Sequence, residues 1–299
     1  MVKDVHWQLF QGLAEQELEN ICGKLNIPND YLTSVNDPFE IARIEDGVNI
    51  KGHSTYLVVL QYLLPQSNNL EECEYKTRAI SLVKVEDQLF VSLNEDPQYF
   101  SDLFKQFDRN IQLSYEEMIM KVFWKIQNET IKVLAWVHEE IEDMQKDIEY
   151  SSQNKELYRL MRLDKSLAYI KTAVHNNRIV LEKISQDERF QSVPALKSLM
   201  HDVLIESYQA ESMVNEGMRI TGQLSDLFSN VISNNLNNVM KVLTSITIIL
   251  TIPTIIGGLW GMNVPLPFAN SEAGFFMTIL LSLIISIVVV FWLKSKDYL

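Results

Sequence analysis

Two uninterrupted apolar runs, at residues 242–259 and 275–293, decide most of what this chain can become. Neither contains an Asp, Glu, Lys or Arg. An α-helix rises about 1.5 Å per residue, so each run can cross a hydrocarbon core about 30 Å thick. Inside that core every backbone polar group must be bonded within the protein, so two short apolar segments can span it only as helices. The expected fold is therefore an α+β membrane protein. An N-terminal cytoplasmic α/β domain (1–100) and a helical hairpin (101–194) come first. A long stalk helix then continues into the first of two transmembrane helices (195–259). A loop (260–274), a second transmembrane helix (275–293) and a basic tail (294–299) complete the expected order.

The charge distribution supports that division. The chain has 299 residues and a formal net charge of −13. All but two of its 39 acidic and three of its 26 basic residues precede residue 237. So acidic a surface argues against nucleic-acid binding; it can be solvating, or it can attract cations. Lys241 stands before the first span, Lys294 and Lys296 follow the second, and the loop between carries no Lys or Arg. By the positive-inside rule both ends of the hairpin are expected in the cytoplasm, in the cell's inner (plasma) membrane. The start, MVKDVHWQLF, lacks the apolar core of a signal peptide, which keeps the large domain on the same side. Cys22 and Cys73 are expected as free thiols, without metal-ligand spacing.

Along the first hundred residues the β-rich stretches near 5–10, 39–50, 55–64, 78–85 and 88–93 read as strands. Residues 15–25 carry a helical apolar pattern, and Pro28 and Pro38 punctuate the stretch between that helix and the next strand. Ser114-Tyr115-Glu116-Glu117 has the form of a helix start. One charged helix should run from there towards Tyr150, and a second from about 156 to 185, forming an antiparallel pair. From 195 to 252 only Gly217 and Gly222 could interrupt a helix, so one continuous helix is expected.

That helix carries a stripe. Gln223, Asn230, Asn237, Thr244, Thr251 and Gly258 recur every seven residues. Asp226, Ser233, Met240, Thr247 and Thr254 form a second series offset by three. These are the two seam positions of a heptad, ordinarily apolar, and here they are polar or small. Of the five hydroxyl residues in the first span, only Ser245 lies off the seam. Polar groups inside a membrane turn towards protein or water. Several copies around an axis could line a wet pore with this stripe, and a ring of Asp226 carboxylates would concentrate cations at its mouth. The same threonines could instead bond their own helix or serve close helix packing.

Trp260-Gly261-Met262-Asn263 follows the seam directly. Gly-Met-Asn after the first of two C-terminal spans, behind an acidic helical domain, resembles the CorA family of magnesium channels. The likeness extends to 238–244 (Asn-Val-Met-Lys-Val-Leu-Thr) and Pro253. The resemblance implies a homopentamer in the lipid bilayer, a passive gated channel driven by the membrane potential. Its cargo would be divalent cations, chiefly Mg2+, with Co2+ and Ni2+ beside it, and it would need no cofactor beyond Mg2+ as substrate and regulatory ligand. Gly261, Met262 and Asn263 would form the selectivity element, with Asn263 meeting hydrated Mg2+ at the outer entrance. Mg2+ sheds water reluctantly, so a neutral amide ring can recognise the ion through its waters.

Further roles come from the same likeness. Asp226 and Asn237 would line the inner pore, and Met240 and Leu243 the hydrophobic constriction. Cytoplasmic Mg2+ would close the channel by binding acids between subunits, with Asp202 at one such position and Asp37 as its partner. The acidic run 139–143 could add to cation binding or simply be a solvated helix face. Departures are Trp260 where the family more often has tyrosine, and the loop Val264-Pro265-Leu266-Pro267-Phe268, which leaves Glu272 as its only acid. Two other readings stay open: the zinc-transporting branch of the superfamily, whose members usually lack the motif's methionine, and a membrane-anchored sensor or scaffold. An enzyme is not expected. The chain has no phosphate-binding glycine loop, its five histidines are scattered, and His138-Glu139-Glu140 lacks the second histidine of a metalloprotease helix.

Overall fold

The computed structural model of the protein describes residues 6–48, 52, 54–67, 74–96, 98–109, 113–147, 153–262, 272–296 and 298. The chain divides into two compact units, Met1–Ser225 and Asp226–Leu299.

The first unit is built on a five-stranded sheet. Its strands are β1 (His6–Gln11), β2 (Arg43–Val48), β3 (Ser54–Pro65), β4 (Tyr75–Val85) and β5 (Gln88–Leu93). Their order is β1-β5-β4-β3-β2, with β1 parallel to β5 and every other pair antiparallel. Side chains alternate across a strand, so both faces of β3 can be buried only if both are covered. They are. Tyr56, Val58, Leu60 and Tyr62 face a core shared with α3 (Tyr99–Arg109), α4 (Tyr115–Asp147) and α5 (Gln153–Gln186). The short α6 (Glu188–Gln191) and the start of α7 (Leu196–Trp260) join that core. Leu57 and Val59 face the other way, into a core with α1 (Glu15–Leu25) and α2 (Asp30–Thr33). The helical pair and the sheet thus share one core.

Local chemistry explains the boundaries. The Ser114 hydroxyl accepts the Glu117 N–H at 3.2 Å, while the Glu117 carboxylate accepts the Ser114 N–H at 2.8 Å, so the expected start of α4 is a capping box. The strand expected over 39–50 is shorter. Asp37 accepts the Phe39 N–H at 2.8 Å, and this turn beside Pro38 delays β2 until Arg43; residues 49 and 50 lie outside the described set. Helix α3, not anticipated as a separate element, buries Phe100, Phe104 and Phe107, and Trp7 of β1 packs on the last two at 5.6 Å. Gly217 turns out to be a packing site, since a Cβ there would meet Leu167 of α5 at 3.1 Å.

Asn177 of α5 is a staple. β2 pairs with β3 only as far as Val59, so the backbone of Gln61 lacks a strand on that side. The Gln61 N–H donates to Asn177 Oδ1 at 2.9 Å, and Asn177 Nδ2 donates to the Gln61 carbonyl at 2.7 Å, all buried. Asn177→Leu should strand two buried backbone groups at about 1–3 kcal/mol each. The thermal midpoint of the detergent-solubilised protein is expected to fall by roughly 5–10 °C.

The second unit contains the remainder of α7 and helix α8 (Glu272–Ser295). α7 runs unbroken through Pro253 to Trp260. The missing N–H removes one ladder bond, a loss that membrane helices tolerate. Among the described residues, α7 and α8 are the two helices long and apolar enough to cross a membrane. Only 6% and 11% of their apolar windows are buried, so most of this surface needs cover from outside the chain.

Candidate functional site

Where α8 touches α7 defines the site by exclusion. Between 229 and 260 Ser245 alone among the described residues is buried, and Ile249, Ile252, Ile256 and Trp260 are half-buried. Every seam residue is exposed: Gln223, Asp226, Asn230, Ser233, Asn237, Met240, Thr244, Thr247, Thr251, Thr254 and Gly258. Leu243 is exposed as well. At 100° per residue the covered row and the threonine row lie roughly 160° apart around the helix. α8 therefore occupies the back of α7 and leaves the hydroxyl face bare.

Three hydroxyls on that face bond their own helix, one of the alternatives the sequence left open. Thr247, Thr251 and Thr254 donate to the carbonyls of Leu243, Thr247 and Leu250 at 2.8, 2.7 and 2.9 Å. Each proton is thus tied to the helix, which satisfies the donor in an apolar medium. The oxygen keeps acceptor capacity, because a hydroxyl carries two lone pairs. The result is a row of acceptors without competing donors. A hydrated cation turns water protons outward, and such a row suits it.

Beyond the seam, Gly261 and Met262 are exposed, Met262 at 54%, while Asn263 and the rest of the loop to 271 lie outside the described residues. Met240 is also half exposed.

The regulatory candidates come from different elements, Asp37 from the stretch before β2 and Asp202 from α7. Asp37 and Asp202 are both exposed, and one Asp37 oxygen already holds the Phe39 N–H. Among the described residues no group of three or more His, Cys, Asp and Glu could hold a metal. The acidic run is partly engaged, Glu140 with Arg159 at 2.5 Å and Asp143 with Lys146 at 3.0 Å. One residue was missed. Glu206 stands four residues after Asp202, with a carboxylate oxygen shielded from solvent and without a hydrogen-bond partner among the described residues. Burial, and then the charge of Asp202, push its carboxyl above the usual carboxylate range. The i,i+4 spacing was the available signal. Cys22 is buried and unpaired, and burial raises its thiol to about 11, which keeps it inert; Cys73 lies outside the described residues.

A family model described as CorA-like Mg2+ transporter protein matches residues 2–295. The chain belongs to the CorA family. It is 22% identical over 292 residues to the cobalt/magnesium transport protein CorA of Methanocaldococcus jannaschii, covering 95% of this chain and 88% of that one. It is 20% identical over 269 residues to the cobalt/magnesium transport protein CorA of Thermotoga maritima, covering 87% of this chain and 75% of that one. The complete structure of the Methanocaldococcus jannaschii CorA magnesium transporter superposes with a TM-score of 0.78 at 19% identity, over 98% of this chain and 91% of that one. That superposition shows the fold. Membership in the CorA family makes this a membrane protein of a Mg2+ and cobalt transporter family, and not an enzyme.

Proposed function

We propose that several copies of this chain, five by the family likeness, turn the bare face of α7 towards a common axis and form a gated channel. Divalent cations, chiefly Mg2+ and with it Co2+ and Ni2+, pass inward down the membrane potential, which contributes about 2.3 kcal/mol per charge per 100 mV. The observation that carries this reading is the acceptor row of Thr247, Thr251 and Thr254 on the face that α8 leaves uncovered. A single chain cannot enclose a pore, whereas a symmetric ring of such faces can. In that ring Asn263, with Gly261 and Met262, meets the hydrated ion at the outer entrance. Met240 and Leu243 narrow the path and can block it by dewetting. Asn230, Asn237 and Asp226 continue it inward, and Gly258 leaves room near the outer end. Both chain ends lie in the cytoplasm and the loop outside, in the plasma membrane.

Thiol labelling tests the reading. Cysteines at Thr244, Thr251 and Thr254 should react with a hydrophilic reagent at least about tenfold faster than one at exposed Leu280 of α8, because thiolate forms only where water reaches. Equal rates, or an intact oligomer that passes no Mg2+ into liposomes, would leave an anchored scaffold as the better account.

Regulation is proposed at Asp202, with Glu206 beside it and Asp37 of a neighbouring copy opposite. A divalent cation there would offset the burial that, together with the charge of Asp202, raises the Glu206 carboxyl. Asp202→Ala should raise the internal Mg2+ needed for closure at least about threefold, seen as persistent flux at millimolar Mg2+. The sign at Glu206 is independent of flux. A raised folded-state pKa stabilises the fold below the unfolded carboxylate pKa, and this is lost as pH climbs through the folded value. Glu206→Gln should therefore raise the thermal midpoint at neutral pH without Mg2+ and shrink the increment that Mg2+ adds.

A further inference from the structure

Ser245, the hydroxyl residue off the seam, is fully buried, and its Oγ donates to the backbone carbonyl of Tyr298 at 3.0 Å. Past α8, the N–H groups of Lys296 and Tyr298 both donate to the Leu293 carbonyl at 3.1 Å, which holds Tyr298 close to the end of that helix. Leu293 is 2% exposed, and the Lys241 ammonium lies 5.8 Å from the centre of the Tyr298 ring. These contacts stand out because α7 and α8 otherwise leave most of their apolar surface bare. A hydroxyl on the α8 side of the first span must find an acceptor. The carbonyl of a residue outside the helix can provide one without disturbing the α7 ladder.

The position of this contact matters. Lys241 follows Met240 directly, and Ser245 is two residues past Leu243. On a helical wheel the Lys241–Ser245 side lies roughly 150° from the Met240–Leu243 side. The contact therefore grips the back of α7 at the level where the proposed pore is narrowest.

We propose that Ser245, Lys241 and Tyr298 form a latch that clamps the end of α8 to the back of α7 beside the constriction. With the latch closed the two helices move together at this level, and its release lets α7 shift Met240 and Leu243 independently of α8. The gating half of this inference rests on the pore reading above, whereas the contact itself does not.

The test pairs Ser245→Cys with Tyr298→Cys in a full-length chain carrying Cys22→Ser and Cys73→Ser, reconstituted in phosphatidylcholine–phosphatidylglycerol liposomes. A short bifunctional thiol reagent should link the two positions within one chain, identified by peptide mass. Linkage should lower Mg2+ flux at least about fivefold (~1 kcal/mol on the barrier) and abolish its response to Mg2+ on the Lys241 side. A reductant that cleaves the linker should reverse both effects, and either single cysteine treated alone should behave as untreated protein. Ser245→Ala, which removes the donor with little change in volume, should shift the closing Mg2+ concentration at least about threefold. An assembled, conducting double mutant that does not link overturns the latch. So does a linked protein with unchanged flux together with an unshifted Ser245→Ala. Protein that links but passes no ion even after reduction overturns the transport reading while confirming the contact.

Discussion

Valine at Thr247, Thr251 and Thr254 together is expected to cut Mg2+ flux at least about tenfold while oligomer size and thermal midpoint stay near wild type. Valine keeps the shape of threonine and removes only the oxygen. The helix loses little, because the carbonyls of Leu243, Thr247 and Leu250 remain within the α7 ladder and the lost threonine bonds were local. The ion loses a row of acceptors in every copy. At about 0.5–1.5 kcal/mol for each net hydrogen bond, losing one at each of the three threonine levels raises the barrier by roughly 1.5–4.5 kcal/mol. That corresponds to about one to three orders of magnitude in rate. A face made apolar over two turns also invites dewetting. Flux in liposomes with a Mg2+-sensitive dye is the measurement. A triple valine variant that conducts like wild type would mean these threonines only pack helices.

Asn263→Ala is expected to abolish selective Mg2+ uptake, a loss of at least about a hundredfold or ~2.7 kcal/mol, with assembly intact. Alanine can neither donate to nor accept from the waters of a hydrated ion, and every copy loses the amide at once. Mg2+ would then have to shed waters it holds reluctantly, without replacement ligands. Uptake assayed against Co2+ and Ni2+ separates a lost entrance from a lost preference. Normal, selective uptake by the alanine variant would remove Gly261, Met262 and Asn263 from the mechanism.

Much of this was legible in the sequence where one short-range signal sufficed. The capping box at Ser114 and Glu117 spans three residues, and helix α1 matches its apolar pattern residue for residue. The heptad stripe on α7 needs nothing beyond its own spacing, and α8 leaves that face uncovered. Helix α3 was passed over because its aromatic row gains meaning only from Trp7, which lies far back in the chain. The sheet order was also illegible. It depends on pairing between strands far apart in the chain, above all β1 with β5, whose partners run from His6 and Gln88 to Gln11 and Leu93. Ser245 showed as an exception to the stripe, but its acceptor stands 53 residues downstream. Glu206 escaped because an i,i+4 pair of acids is common on a helix, and only its burial sets this one apart.

The uncovered flank of α7 has a genetic consequence. A conduit walled by one surface from every copy fails when any single copy is faulty, so a defective subunit acts in trans. For five subunits mixed at random in equal amounts, only about one assembly in thirty would be wholly wild type. Co-expression of the triple valine chain with the normal one should therefore depress uptake far below half, a dominant-negative effect that no chain working alone could produce.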